Sequence, residues 1–197
     1  MLLIQQIRSL WKLSQAGQIA RRYFVTNGFD GALAMLGILL GFYTGGELPL
    51  IVTISACLGV AIALGVSGFT SALLSETEER KKELKELEES LVAPLEESDY
   101  GKASQITPWV IASVNGLSPF LISLFIIVPL WLGEAGMALP LPLDPLETSI
   151  SFSFLVIFFL GVYLGRISDT FWLWSGLRAV LIGLVTAGII FLVSGDA

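Results

Sequence analysis

Residues 50–89 read LIVTISACLGVAIALGVSGFTSALLSETEERKKELKELEE. Positions 50–74 carry no charge, and at 1.5 Å per residue they make a helix long enough to cross the roughly 30 Å of a bilayer's hydrocarbon core. Positions 75–89 are then built from strong helix formers, with no glycine or proline to stop the helix. A membrane span that continues as a charged helix beyond the bilayer follows from these two facts. Four other apolar stretches, at 24–45, 108–132, 149–167 and 172–194, approach or exceed the roughly 20 residues that a spanning helix needs. Backbone groups in lipid must be satisfied within the segment, so runs of this length mean helices and not barrel strands.

Composition agrees. The chain is 54% hydrophobic and 14% charged, with a mean hydropathy of +0.80, whereas soluble domains carry about 25% charged residues. A soluble fold would leave no amphipathic layer to cover so much apolar chain. The expected fold is all-α and integral to the membrane: five transmembrane helices arranged as two and three, with a cytoplasmic helical extension between spans 2 and 3. Residues 1–23 form a cytoplasmic or interfacial N-terminal segment, 24–74 the first two spans, 75–107 the acidic cytoplasmic segment and 108–197 the last three spans. Pro94 is expected to end the charged helix and Pro108 to start the next. Met1–Ile4 is too short an apolar run for a secretory signal. Leu10, Trp11 and Leu13, among Arg8, Lys12, Arg21 and Arg22, suit either a short surface helix or a basic tail.

Basic residues set the orientation. Four precede the first span, five lie between spans two and three (Arg80, Lys81, Lys82, Lys85, Lys102), and Arg166 and Arg178 flank the fourth connection. The turn at 46–49, the loop at 133–148 and the tail after Val193 have none. Lysine and arginine are retained on the cytoplasmic side. A multi-pass protein of the cell membrane is expected, with its N-terminus in the cytoplasm and its C-terminus outside.

The net charge of −6 resembles no nucleic-acid binder, and it arises in the 75–107 segment, where ten acidic residues face five basic ones. There is no histidine and one cysteine, Cys57. Serine–histidine catalysis, zinc-type sites and an internal disulfide are therefore excluded by inventory, and no enzyme is expected.

Asp30 is the one ionisable residue well inside an expected span, about 12 Å along the helix from Arg22. A carboxylate at that depth costs about 2.5–3.5 kcal/mol and normally faces a bundle interior or a wet cavity, which makes it a functional candidate. The plainer reading is a cap on a helix that begins near Gly28. Asp30, Ala34, Gly37, Gly41 and Gly45 fall within about 80° of arc, a narrow small-residue face that a second helix can approach closely. The second span repeats the theme with Ser55, Gly59, Ala63, Ser67 and Ser71, whose hydroxyls either ligate an ion or bond to backbone carbonyls. Ser113, Asn115 and Ser118 precede Pro119, where a kink would free carbonyl groups. On the charged helix Glu76, Glu79, Glu83 and Glu86 share one face, suited either to a hard divalent cation or, with the nearby Arg80, Lys82 and Lys85, to water. Leu84, Leu87 and Leu91 make an adjoining apolar stripe for another helix or a second copy.

Taken together, the chain resembles the vacuolar iron transporter family from Ala20 to Gly195. The resemblance rests on Asp30-Gly31 and the glycine-rich first span, on the second span running into SETEER, on GLSPFLISLFIIVPLWL at 116–132, and on GVYLGRISDTFWLWSGLRAVLIGLVTAG at 161–188. It implies a homodimer whose ion path lies between first spans, with divalent iron(II) or manganese(II) as substrate, exported from the cytoplasm in exchange for protons. By that analogy Asp30 is the path carboxylate, lined by Gly37, Gly41, Ser67 and Asn115, and Glu76, Glu79, Glu83 and Glu86 capture metal. No resident cofactor is implied; the partners are divalent metal ions, the lipid bilayer and a second copy, and no nucleic acid. Family members carry an acidic residue and a methionine in the second span; VAIALGVSGF at 60–69 has neither. The competing functions are a carrier of another cation or small solute on the same fold and a non-transporting membrane scaffold.

Overall fold

The computed structural model describes residues 16–46, 48–137 and 143–194, so the expectations for residues 1–15 lie outside the described residues. All described elements are helices: α1 (Ala16–Thr44), α2 (Leu50–Leu91), α3 (Asp99–Ile126), α4 (Val128–Glu134), α5 (Pro145–Ile167) and α6 (Trp172–Ser194). Five of them, all but α4, are long and apolar enough to cross a membrane.

Helix α1 sits at the centre, packed against α2 and α3 on one side and α5 and α6 on the other. Its buried side chains Met35, Leu36 and Leu39 meet Cys57 of α2, Ile126 at the end of α3, Leu130 of α4 and Ile157 of α5 in one apolar core. Glycine allows the close crossings. A Cβ added at Gly31 of α1 would lie 2.8 Å from the Pro119 backbone of α3, one at Gly116 of α3 would lie 2.5 Å from the Gly65 carbonyl oxygen of α2, and one at Gly161 of α5 would meet Ala179 of α6 at 2.5 Å. Interhelical attraction in lipid rests on such packing, since burial from water supplies none.

Helix α2 runs unbroken for 42 residues, about 63 Å. It ends at Leu91, where Val92 turns left-handed at φ 52° and the chain reverses before Pro94. Helix α3 does not wait for Pro108. It starts at Asp99, because Ser98 accepts a hydrogen bond from the Gly101 amide and supplies the cap; Pro108 and Pro119 both lie inside the helix. Pro108 deprives the Ser104 carbonyl of its usual amide partner without stopping the helix. The apolar stretch at 108–132 is two elements, since the backbone departs from α3 at Ile127 and restarts with Pro129 in the first turn of α4. Proline there needs no amide partner.

Candidate functional site

Asp30 lies in the middle of α1, fourteen residues after Ala16. The cap reading is thereby excluded. Its side chain is exposed and, among the described residues, makes no hydrogen bond or ion pair. Gly37 and Gly41 lie on the same face: a Cβ on Gly41 would meet nothing within 4 Å, and one on Gly37 only the tip of Ile190 at 3.8 Å. The glycines of α1 that pack inside the chain are instead Gly28 and Gly31. One stripe of α1 thus carries a lone carboxylate, a half-buried glycine at 37 and an exposed one at 41.

The second small-residue stripe also faces outward. Ser55, Gly59, Ala63, Ser67 and Ser71 of α2 are all exposed. Ser55 and Ser71 turn their hydroxyls back to the carbonyls of Ile51 and Gly68, which is the backbone-bonding alternative of the two considered.

Asn115 takes a different place. Only 5% exposed, it accepts a hydrogen bond from the Asn27 amide of α1 and donates to the Gly68 carbonyl of α2 at 2.6 Å. Asn27 in turn donates to the Tyr23 carbonyl at 2.9 Å, and three residues along α3 the Ser118 hydroxyl donates to the Phe24 carbonyl at 2.5 Å. This polar seam binds α1, α2 and α3 together, and it engages both ends of the Asn115 amide. Asn27 was not singled out in the sequence. The available signal was a carboxamide three residues before Asp30 in an otherwise apolar run.

Where α2 turns from apolar to charged, Glu76 is only 4% exposed. The Tyr23 hydroxyl of α1 donates to its Oε1 at 3.2 Å, and Arg80 approaches its Oε2 at 3.4 Å while bonding Glu83 at 2.7 Å. Burial of this carboxylate is tolerated because a cation and a donor are built around it. Glu86 sits 3.8 Å from Lys82. Glu79 is exposed and has no ion-pair partner among the described residues. Glu76, Glu79, Glu83 and Glu86 therefore do not converge, and among the described residues no three acidic or cysteine side chains are grouped to hold a metal ion. Leu87 and Leu91 remain exposed within the chain.

No family model matches the sequence, and no solved structure does. The uncharacterized protein MJ0645 of Methanocaldococcus jannaschii is 30% identical over 183 residues, which is 90% of each chain. With that identity over that length, the chain belongs to the same family as MJ0645.

Proposed function

We propose that this chain is a multi-pass protein of the cell membrane, cytoplasmic at its N-terminus and external at its C-terminus, that carries divalent iron or manganese out of the cytoplasm in exchange for protons. On this reading it is a short relative of the vacuolar iron transporters and works as a homodimer. The observation that carries the proposal is Asp30, exposed and without an ion pair among the described residues at the midpoint of α1, on the same face as the half-buried Gly37 and the exposed Gly41. A carboxylate facing hydrocarbon is costly, and such groups face a partner, water or a passing ion. A second copy laid along the glycine face would cover the stripe and bring two Asp30 carboxylates toward each other. Hard divalent cations take oxygen ligands of this kind. Protons and the cation compete for the same carboxylate oxygens, so entry of one displaces the other. That supplies exchange without an acidic residue in α2. Glu79, the face's one carboxylate without an ion pair among the described residues, is the capture ligand at the cytoplasmic mouth; Ser67 is exposed on α2, and Asn115 has both ends of its amide engaged in the seam.

Manganese(II) and iron(II) uptake into proteoliposomes tests this. Wild-type protein should accumulate metal in response to a proton gradient, Asp30→Asn should abolish flux while the protein remains folded, and Glu79→Gln should chiefly raise the metal concentration needed for half-maximal flux. Normal flux by Asp30→Asn would remove the path carboxylate from the mechanism. Absence of flux in the wild type with either metal would leave a carrier of another solute or a scaffold.

A further inference from the structure

Beside the start of α1, where it passes the end of α5, the surface opens into a crevice of about 490 Å³. Arg21 and Arg22 of α1 and Ser168, just past α5, form its polar side, and Val25, Leu164 and Ile167 form an apolar wall. Both arginines are exposed and, among the described residues, neither makes an ion pair. Residues 1–15, which lead into α1, contain no aspartate or glutamate to neutralise them. Asp169 follows Ser168 but does not line the crevice, and among the described residues no other acidic side chain does. Thr26, also in the lining, turns its hydroxyl to the carbonyls of Arg22 and Tyr23. The guanidinium groups, the Ser168 hydroxyl and the amide of the exposed Gln18, which also lines the crevice, are left as donors. Arg22 is held 5.6 Å above the ring of Tyr23, which limits the freedom lost on binding.

We propose that this crevice is a binding site for the headgroup phosphate of an anionic phospholipid. Guanidinium groups present paired donors that match phosphate oxygens. An inorganic phosphate has no use for the apolar wall, whereas the glycerol backbone and first methylenes of a lipid lie along the exposed Leu164 and Ile167 and lose contact with water. Basic pockets between spanning helices on the cytoplasmic side are suited to such headgroups. The inference rests on the membrane reading above, which places these ends of α1 and α5 at the cytoplasmic leaflet. One lipid held there bridges α1, the helix that carries Asp30, to α5.

Native mass spectrometry of the full chain in mild detergent, titrated with phosphatidylglycerol or phosphatidylcholine of identical acyl chains, tests the site. Two arginines near an anionic headgroup give roughly a thirtyfold preference for phosphatidylglycerol. Arg21→Gln with Arg22→Gln should erase that preference, while Lys81→Gln with Lys82→Gln, the same change in net charge, should leave it intact. Equal binding of the two lipids, a preference surviving in the double arginine variant, or displacement of phosphatidylglycerol by millimolar inorganic phosphate would overturn the proposal. Alkaline extraction of reconstituted vesicles reads the membrane assignment separately. A chain that stays in the bilayer without the lipid preference loses only this site, and a chain that washes off loses the membrane reading on which it rests.

Discussion

Gly116→Ala should be among the most damaging single-methyl additions in this chain. The new Cβ would lie 2.5 Å from the Gly65 carbonyl oxygen, 2.8 Å from the Phe69 Cβ and 3.0 Å from the Phe69 backbone nitrogen. The first of these falls 0.9 Å short of the 3.4 Å at which ordinary contact begins. Two of the three atoms are backbone of α2, so no side-chain rotation relieves the clash and the helices must separate. Overpacking of this kind costs about 1–3 kcal/mol. Separation by nearly an ångström would also stretch the adjacent Asn115 to Gly68 bond from 2.6 Å to the edge of hydrogen-bond range, losing an interhelical bond of about 0.6–1.7 kcal/mol. Together these come to about 2–5 kcal/mol. Gly59→Ala is the matched control, because its added Cβ meets nothing within 4 Å and alanine favours the helix by about 1 kcal/mol. Unfolding by sodium dodecyl sulfate in a mild-detergent background, followed by tryptophan fluorescence, reads both; Trp109 lies 6.3 Å from the Phe69 ring and reports the α2–α3 contact. Gly116→Ala unfolding at the wild-type midpoint, or losing no more stability than Gly59→Ala, would refute the close-packing argument.

Arg80→Met should destabilise by about 3–5 kcal/mol, since it strands the buried Glu76 carboxylate; Tyr23→Phe should cost about 1.5 kcal/mol, the lower end for a bond to a charged group because it is 3.2 Å long. The same detergent titration measures both, and an Arg80→Met variant as stable as Tyr23→Phe would show that the cation is dispensable. Gly37→Leu with Gly41→Leu should leave the monomer folded, for neither site is crowded within the chain, yet abolish association in light scattering of the detergent-solubilised protein; an unchanged dimer, or a monomeric wild type, would move the interface elsewhere. A cysteine placed at Met137, with Cys57 replaced by alanine, should react with an impermeant maleimide from outside intact cells, and labelling only after lysis would invert the topology.

The five long helices were legible because apolar runs bounded by glycine, proline and charge are read directly against bilayer thickness. Boundaries near prolines were less so. Pro108 suggested a helix start, whereas Ser98 with Asp99 already offered a cap and a first-turn acid nine residues earlier, and a proline within a helix removes one bond without ending it. The small-residue stripes were legible as patterns, but spacing fixes only which residues share a face. It does not fix whether that face packs inside. Gly65 and Gly68 of α2 meet α3, and the Ser55 to Ser71 stripe does not. The four glutamates shared a face as expected, yet Arg80 intervenes, because a long flexible cation reaches both Glu76 and Glu83 one turn either side of it. Asn27 paired with Asn115 was invisible because 88 residues separate them.

The unbroken course of α2 makes it a lever. From Ser75 to Leu91 it extends about 25 Å past its apolar part as one rod, so a tilt of about 10° within the bundle sweeps its tip through about 4 Å, a range ordinary for spanning helices. The tip is not free. The Glu88 carboxylate accepts from the Leu95 amide at 2.7 Å, which fastens it to the turn that feeds α3, while Glu76 fastens the fulcrum to Tyr23 of α1. Pushing or pulling on the charged end would therefore be transmitted at the fulcrum to the helix that bears Asp30 and at the tip to the helix that holds Asn115, so a force applied outside the apolar layer would reach the interior as torque, with no contact there.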